Sequence, residues 1–440
     1  MSDTTTPPSP EGVPVLGHGY AFSRDPFGSL ERWADHGDVV RLEFPGQTIY
    51  MLSEPSLIEA VFLDSDGRFT ISDQQRETFE GIEDHALSAA TGERWRRLRT
   101  ALHPAFTRER IERYGEEIVA TTRERLEEFE EGERIDLHRQ MRLLTIHVVT
   151  NTLLDLEVRG NEKVVMDATD ALVARTDPRR FGQLLPDWVP TPTDRRFERA
   201  VSDLEALLEG ALEDRLEEER ASGSDALSVM LDARERGEIT TEEILDNAVA
   251  LLLAGSDTTA LALTYCWYAL EDHPELEDSL VAEYDEHVGE GPPDVDALED
   301  LEGLSNVVDE TLRLYPPTWN SMRKAKTSVV IGDYRLPEGA TLMLPQWVVH
   351  RDGRYWDDPD TFDPSRWKNE EGRPEYAYFP FGGGPRHCIG MSFARLEIRL
   401  ALATMLSYVD LEVTADDPLT FVPSLSLRPE STVTATVRRR

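Results

Sequence analysis

The spacing of apolar residues divides the chain into a long helical stretch flanked by segments of strand character. Near the start, residues 39–42 and 48–52 alternate or cluster as short strands do. From about residue 55 to residue 314, apolar side chains recur every three or four positions, which is the period of amphipathic helices. This period is clearest in Ile111–Phe129, Val201–Leu216 and Ile244–Leu270.

Strand patterns return in the last third of the chain. They occupy Ser328–Ile331, Tyr334–Leu336, Thr341–Leu344, Leu411–Val413 and Thr432–Val437. No low-complexity linker or internal repeat interrupts the chain. We therefore expect residues 1–440 to form a single domain, mainly α-helical with a minor, mostly antiparallel β part.

One predicted helix is unusually long. Thr240 and Glu243 have the spacing of a capping box, and the apolar pattern then continues to Asp272, where His273-Pro274 ends it. About 32 residues at a rise of 1.5 Å give a helix of about 48 Å. A helix of this length would cross the whole domain, so its middle is expected to be buried.

The charge balance restricts the partners and the compartment. The formal net charge is −39, and only four residues are lysine. Such a chain repels nucleic acid and anionic membranes, and it folds best where salt screens its charge, so we expect a halophilic protein. The N-terminus has no signal-peptide pattern, and the longest apolar run, Ala248–Ala254, is too short for a membrane anchor. These features predict a cytoplasmic protein.

The strongest chemical motif surrounds Cys388. Three consecutive glycines precede it, and they allow the backbone to approach a flat ligand closely. A helical pattern follows, so a thiolate at Cys388 would be stabilised by the helix N-terminus. The segment resembles the haem-binding signature F-x-x-G-x-R-x-C-x-G of the cytochrome P-450 family at every fixed position. The matching residues are Phe381, Gly384, Arg386, Cys388 and Gly390, and Gly382 lies within the same loop.

A second motif lies in the middle of the long helix, at Ala254-Gly255-Ser256-Asp257-Thr258-Thr259. A carboxylate among leucines is costly unless it is paired, and threonine hydroxyls bend a helix by bonding to carbonyls one turn back. The segment resembles the oxygen-activation motif A/G-G-x-D/E-T-T of the same family. The resemblance implies that Asp257 and Thr258 supply protons during the reaction and that Ala254 borders the haem.

Further residues match the family outside these two motifs. Glu310 and Arg313 share a helix face and resemble its E-x-x-R pair, with Arg366 as the third member of a structural network. The cofactor implied is haem b, with Cys388 as the axial iron ligand. The resemblance assigns its propionates to Trp95, Arg99, Arg323 and Arg386. The roles of His85, His103 and His350 stay open, and Cys266 is expected to be a buried apolar side chain.

The resemblance covers nearly the whole chain and implies a monooxygenase with the cytochrome P-450 fold. Such an enzyme inserts one oxygen atom from O2 into an apolar small molecule, with electrons from a ferredoxin and its reductase, and we expect a monomer. The alternatives are a peroxygenase, a nitric oxide reductase, an isomerase or a haem gas sensor. The family pattern places the substrate pocket at residues 69–90, 250 and 254, 318–320 and 424–427.

Arginines cluster in a part of the chain that is otherwise acidic. They are Arg94, Arg96, Arg97 and Arg99, followed by Arg108, Arg110 and Arg113. Because a positive patch raises the encounter rate with an acidic protein, this cluster predicts a docking surface for an acidic ferredoxin.

Overall fold

The protein is described by a computed structural model, which places residues 6–179, 191–217, 223, 225–369, 371–416 and 418–440. Its helices are α1 (Gly19–Arg24), α2 (Pro26–Ala34), α3 (Pro55–Phe62), α4 (Asp73–Phe79), α5 (Gly92–Leu102), α6 (Arg108–Arg113), α7 (Gly115–Glu127), α8 (Leu137–Val149), α9 (Glu162–Thr176), α10 (Pro192–Glu217), α11 (Ala226–Glu235), α12 (Thr241–Glu271), α13 (Pro274–His287), α14 (Glu302–Leu314), α15 (Gln346–Val349) and α16 (Met391–Tyr408).

The strands form small sheets beside this helical body. They are β1 (Val39–Phe44), β2 (Gln47–Leu52), β3 (Phe69–Thr70), β4 (Arg134–Asp136), β5 (Ser321–Ala325), β6 (Val329–Ile331), β7 (Tyr334–Leu336), β8 (Thr341–Leu344), β9 (Val409–Thr414), β10 (Phe421–Pro423), β11 (Leu427–Pro429) and β12 (Thr434–Arg439). One sheet has the order β1-β2-β8-β5-β3, and another has the order β4-β12-β9. Among the described residues only the β2–β8 pair is parallel, so the mainly helical, mostly antiparallel prediction is confirmed.

The long helix is present with the predicted ends. Thr240 and Glu243 form both hydrogen bonds of the capping box, and Asp272 is the C-cap of α12. The helix is long and apolar enough to cross a membrane, but 72% of its apolar window is buried inside the protein. It therefore serves as the core helix that the sequence predicts.

α8 lies against the middle of α12. Thr145 Oγ1 donates a hydrogen bond of 2.8 Å to the carbonyl of Ser256, inside the second motif. At Gly255 an added Cβ would lie 3.1 Å from Cγ2 of Val149, which is tighter than ordinary packing. The small residue thus lets the two helices approach closely at the point where the site is built.

Strand β5 was not expected from the sequence. Its residues, Ser-Met-Arg-Lys-Ala, lack apolar alternation, and four of the five are only partly buried. Pairing with β8 on one side and with β3 on the other forms the strand. Backbone hydrogen bonding from neighbouring strands therefore outweighs the weak local preference.

Candidate active site

A cavity of about 950 Å³ lies between α12, the loop that carries Cys388 and the segment before α5. The residues that the sequence assigned to the cofactor all line it: Trp95, Arg99, Ala254, Arg323, Phe381, Gly382, Arg386, Cys388 and Gly390. Asp257 and Thr258 line it as well. The structure therefore brings both motifs to one interior space, although they are more than a hundred residues apart in the sequence.

The Cys388 loop presents its sulfur to this cavity. The Cys388 N–H donates to the carbonyl of Phe381 at 3.0 Å, which closes the loop just before α16. Gly384 has φ +64° and an added Cβ there would lie 2.0 Å from the carbonyl oxygen of Phe62, so only glycine fits. Although Cys388 is open to the cavity, loss of bulk solvent around its thiol raises the pKa, and the N–H of Gly390 and the charge of Arg99 oppose this shift. A bound metal ion would keep the sulfur deprotonated.

Three arginines face the cavity without a carboxylate partner among the described residues. Arg99 donates to the His387 carbonyl at 3.1 Å, and Arg386 donates to the Ala90 carbonyl at 3.0 Å. Arg323 donates only to the neighbouring Met322 carbonyl. Burial lowers the pKa of both Arg323 and Arg386 to about 10. Partly buried cations without an acid, in a chain with 85 acidic residues, fit a ligand with carboxylates such as the haem propionates.

The aromatic and glycine residues of the site suit a flat apolar ligand. Arg386 lies over the ring of Trp95 at 4.7 Å, which holds the guanidinium at the cavity wall. At Gly382 an added Cβ would meet nothing within 4 Å, and this residue has φ +69°. The cysteine sulfur, the three arginines and the open glycine loop together fit haem, and Cys388 would hold its iron.

The second motif presents a hydroxyl to the cavity. Thr258 Oγ1 donates to the carbonyl of Ala254 at 2.7 Å, as expected for a threonine inside a helix. Ser256 makes the equivalent bond to Leu252 at 2.6 Å on the buried side. Ala254 and Thr258 therefore form one strip of α12 along the cavity, with the hydroxyl one turn after the small residue.

Asp257 is held as an anion by residues that sequence reasoning missed. Arg428 Nη2 donates to its Oδ1 at 2.5 Å, and Ser426 Oγ donates to its Oδ2 at 2.8 Å. Arg142 lies 3.8 Å from Oδ1. Burial raises the pKa of Asp257, but the two arginines outweigh it and hold the pKa at about 2. The only sequence signal was the cost of an unpaired buried carboxylate, which called for a partner without naming one.

The predicted Glu310 network is present, and Glu310 and Arg313 at its centre are fully buried. Arg313 binds both carboxylate oxygens of Glu310 at 2.7 and 2.9 Å, and Arg366 Nε lies 3.0 Å from Oε1. Trp367 Nε1, a further donor that the sequence did not reveal, lies 3.0 Å from Oε2. His350 belongs to this region, since its Nε2 accepts from the N–H of Phe379 at 3.0 Å.

The arginines of the predicted docking surface do not form a field of free positive charge, and their role in docking stays a prediction. Glutamates on the same helices pair with several of its arginines, as in Arg96–Glu93 on α5. Arg97 binds both oxygens of Glu243 at 2.6 and 2.8 Å. The same pattern holds for Arg94 with Glu243, Arg108 with Glu112 and Arg113 with Glu109. These pairs offset the charge that the sequence cluster suggested.

Segments expected to form the substrate pocket also line the cavity. They contribute Ile71, Gln74, Phe79, Leu87, Ala250, Thr318, Asn320, Ser424, Leu425 and Ser426, among others. Two further histidines had no role assigned from the sequence. His85 forms a hydrogen bond with Asp246, and His103 is exposed and does not line the cavity. Glu83 is a further lining residue that the sequence analysis did not single out.

Comparisons with known proteins agree with this site. The Cytochrome P450 family model matches residues 7–436. The cyclooctat-9-en-7-ol 5-monooxygenase of Streptomyces melanosporofaciens is 32% identical over 92% of this chain and 89% of its own length. The pentalenene oxygenase of Streptomyces avermitilis is 30% identical over 91% and 90%, and human cytochrome P450 3A7 is 28% identical over 91% and 84%. A match of this extent, with the cysteine loop and the α12 motif on one cavity, means that this chain belongs to the cytochrome P450 family and is a haem-thiolate monooxygenase.

Proposed function

We propose that this enzyme hydroxylates a terpene-like polycyclic hydrocarbon or its alcohol. The observation that carries the proposal is the cavity, whose walls beyond the haem-binding residues include Phe79, Leu87, Ala250, Leu251 and Leu172. Such walls bind a compact apolar skeleton by burying its surface. The names of the two Streptomyces relatives, which contain cyclooctat-9-en-7-ol and pentalenene, support this class.

The roles of the chain's residues follow from their positions. Haem held by Cys388 supplies the O–O bond cleavage that thiolate ligation favours. Arg99, Arg323 and Arg386 orient the cofactor through its propionates. The Thr258 hydroxyl is placed to pass protons at the cavity surface, while Asp257 orders the donors beside it as a fixed anion. This arrangement supports the use of O2 over the peroxygenase, nitric oxide reductase and sensor alternatives.

We also propose an electron donor, an oligomeric state and a compartment for this enzyme. Electrons come from a ferredoxin with its reductase, and the enzyme works as a monomer in the cytoplasm of a halophile. The net charge of −39 supports the halophilic origin.

Spectral titration and turnover test the function together. The haem-loaded enzyme is titrated with cyclic terpenes, fatty acids and steroids, and the spin-state shift of the iron reports binding. Terpene-like skeletons should bind most tightly, and with ferredoxin, reductase and nicotinamide cofactor they should yield hydroxylated product with O2 consumption. Tighter binding and faster turnover of linear fatty acids would overturn the substrate class. Product formed only from added hydrogen peroxide would overturn the use of O2.

A further inference from the structure

Glu83 is a buried carboxyl at the wall of the cavity. It lies in the turn-rich segment between α4 and α5 and is 3% exposed. Leu87 and Ser88 of the same segment, and Ala250 and Leu251 of α12, line the cavity with it. An ionisable group among apolar side chains is costly without partners, so its bonds decide what it can do.

The hydrogen bonds of Glu83 leave one oxygen free among the described residues. Ser88 Oγ donates to Oε2. Oε1 has no hydrogen-bond partner in the described part of the chain, and no Lys, Arg or His nitrogen there lies within 4 Å of the carboxyl. One acceptor at the cavity wall is therefore unsatisfied.

Two other buried acids of the protein are bound differently. Asp257 is paired with Arg428 and Arg142, and Glu310 is paired with Arg313 and Arg366. Each of these two carboxylates has cations that hold its charge. Glu83 lacks such a cation, and its free oxygen can accept a hydrogen bond from a molecule in the cavity.

The surroundings of Glu83 add negative charge. Burial, and to a smaller extent the charge of Asp246 on α12, raises the pKa of Glu83 to about 7 against the hydrogen bond from Ser88. The pKa of Asp246 is itself raised by burial, against bonds from His85. Burial and the charges of Asp246, Glu209 and Asp84 raise the pKa of Glu205 on α10. This end of the cavity therefore favours a hydrogen-bond donor, and a cation in particular.

We propose that Glu83, held by Ser88, binds a hydrogen-bond donor on the substrate, so that the preferred substrates are apolar skeletons carrying one hydroxyl or one protonated amine. The proposal rests on the function proposed above and names the polar group that its substrates carry. Binding at Glu83 orients the skeleton and thereby selects the carbon that is oxidised. Glu83 is thus a specificity-determining residue, and it takes no part in the oxygen chemistry.

The test uses four probes with one skeleton and the haem-loaded full-length protein. Adamantane, 1-methoxyadamantane, 1-adamantanol and 1-aminoadamantane differ only in the polar group. Without an anchor the hydrocarbon binds at least as tightly as the alcohol, because the hydroxyl loses its water. With the anchor, spin-state titration should show the alcohol and the amine binding about 10-fold tighter than the hydrocarbon and the ether.

Three variants separate the anchor from general effects. Glu83→Leu should remove the preference for the alcohol and the amine. Glu83→Gln keeps a hydrogen-bonding side chain without charge, so it should retain the alcohol preference and lose that for the amine. Glu93→Gln removes an exposed acid of α5 that does not line the cavity, and its binding ratios should match the wild type. Haem content and the carbon monoxide spectrum show whether each variant is folded. If Glu83→Leu does not bind haem, the anchor is tested by Glu83→Gln alone, which should keep the preference for the alcohol and lose the preference for the amine.

The pH dependence identifies which donor is preferred. If the amine is the better ligand, its affinity should rise between pH 6 and pH 8 as Glu83 ionises, whereas alcohol binding should change little. Equal affinity for hydrocarbon and alcohol in the wild type, or an unchanged ratio in Glu83→Leu, would overturn the anchor while leaving the apolar-substrate function intact. Failure of all four probes to shift the spin state would overturn the apolar-substrate function and the anchor with it.

Discussion

Arg428 Nη2 lies 2.5 Å from Oδ1 of Asp257, and the two residues are 171 positions apart in the chain. The arginine is on strand β11 of a two-stranded sheet, and the aspartate is in the middle of α12. This ion pair ties strand β11 to the second motif, in the middle of α12. It also means that Asp257 acts as a structural anion at neutral pH, so any proton it handles has to pass through its hydrogen-bonding neighbours.

Replacing Asp257 should lower the stability of the protein as well as the yield of product per electron. Asp257→Asn leaves Arg428 and Arg142 without their buried carboxylate, and we expect a loss of about 3 kcal/mol in the free energy of unfolding. Asp170→Asn is the matched control, because Asp170 pairs with the same arginines but its side chain is 36% exposed. Denaturant unfolding measures both variants. Equal stability of Asp257→Asn and wild type would contradict the anchoring role.

The same pair predicts a pH dependence. The pKa of Asp257 is lowered from 3.8 to about 2, so its contribution to stability is complete above about pH 4 and is lost as the pH falls through 2. In wild type the free energy of unfolding should therefore fall in this acid window more steeply than in Asp257→Asn. Parallel curves for the two proteins would show that the carboxylate is not held in this way.

The Thr258 hydroxyl should control how efficiently electrons are used. We expect Thr258→Ala to bind haem and substrate normally, but to form product about 10-fold less efficiently per electron, with the remainder released as hydrogen peroxide or water. Thr258→Ser retains the hydroxyl and should stay near the wild-type value. Product and peroxide are quantified against the nicotinamide cofactor oxidised. Wild-type efficiency in Thr258→Ala would rule out the proton-transfer role.

Cys388 should be essential for the spectrum of the reduced enzyme with carbon monoxide. Thiolate ligation shifts the main absorption band strongly to the red, so Cys388→Ser should lose this shifted band. Cys266→Ala replaces the other cysteine of the chain, which is buried on α12, and it should keep the band. A red-shifted band in Cys388→Ser would show that another residue is the ligand.

Salt should stabilise the folded protein. A net charge of −39 produces self-repulsion, and at about 1 M salt the Debye length is about 3 Å, which screens it. We expect haem loss and a lower midpoint of thermal unfolding at about 50 mM salt than at about 1 M. Sucrose stabilises by exclusion without screening, so it should not replace the salt. Full haem retention in dilute buffer would argue against halophilic adaptation.

Glu83 should destabilise the protein as the pH rises. Its pKa is raised from 4.5 to about 7, so the carboxyl is neutral and tolerated at pH 5 and becomes a buried charge above pH 7. Between these values Glu83→Gln should gain up to about 3 kcal/mol over the wild type. Glu93→Gln, on the exposed surface of α5, is the control variant. A constant difference between Glu83→Gln and wild type across this range would refute the shifted pKa.

The amino-acid sequence by itself determined those features that depend on neighbouring residues. The period of apolar side chains located α12 and most strands, and the capping box placed the start of α12 at the observed residue. The loop around Cys388 could be interpreted from the sequence alone, because its glycine turn, the cysteine and the start of α16 lie within ten residues of one another. The motif residues that line the cavity were identified for the same reason.

The tertiary structure alone decided which distant side chains meet. Arg428 shows no local signal that it belongs to Asp257, and Glu83 is one acid among many until its burial and missing cation are seen. The arginine cluster of α5 and α6 is partly neutralised because folding brings Glu243 to Arg94 and Arg97, and because glutamates lie one turn away on the same helices. Ion pairing and burial depend on contacts between remote segments, and periodicity carries no information about them.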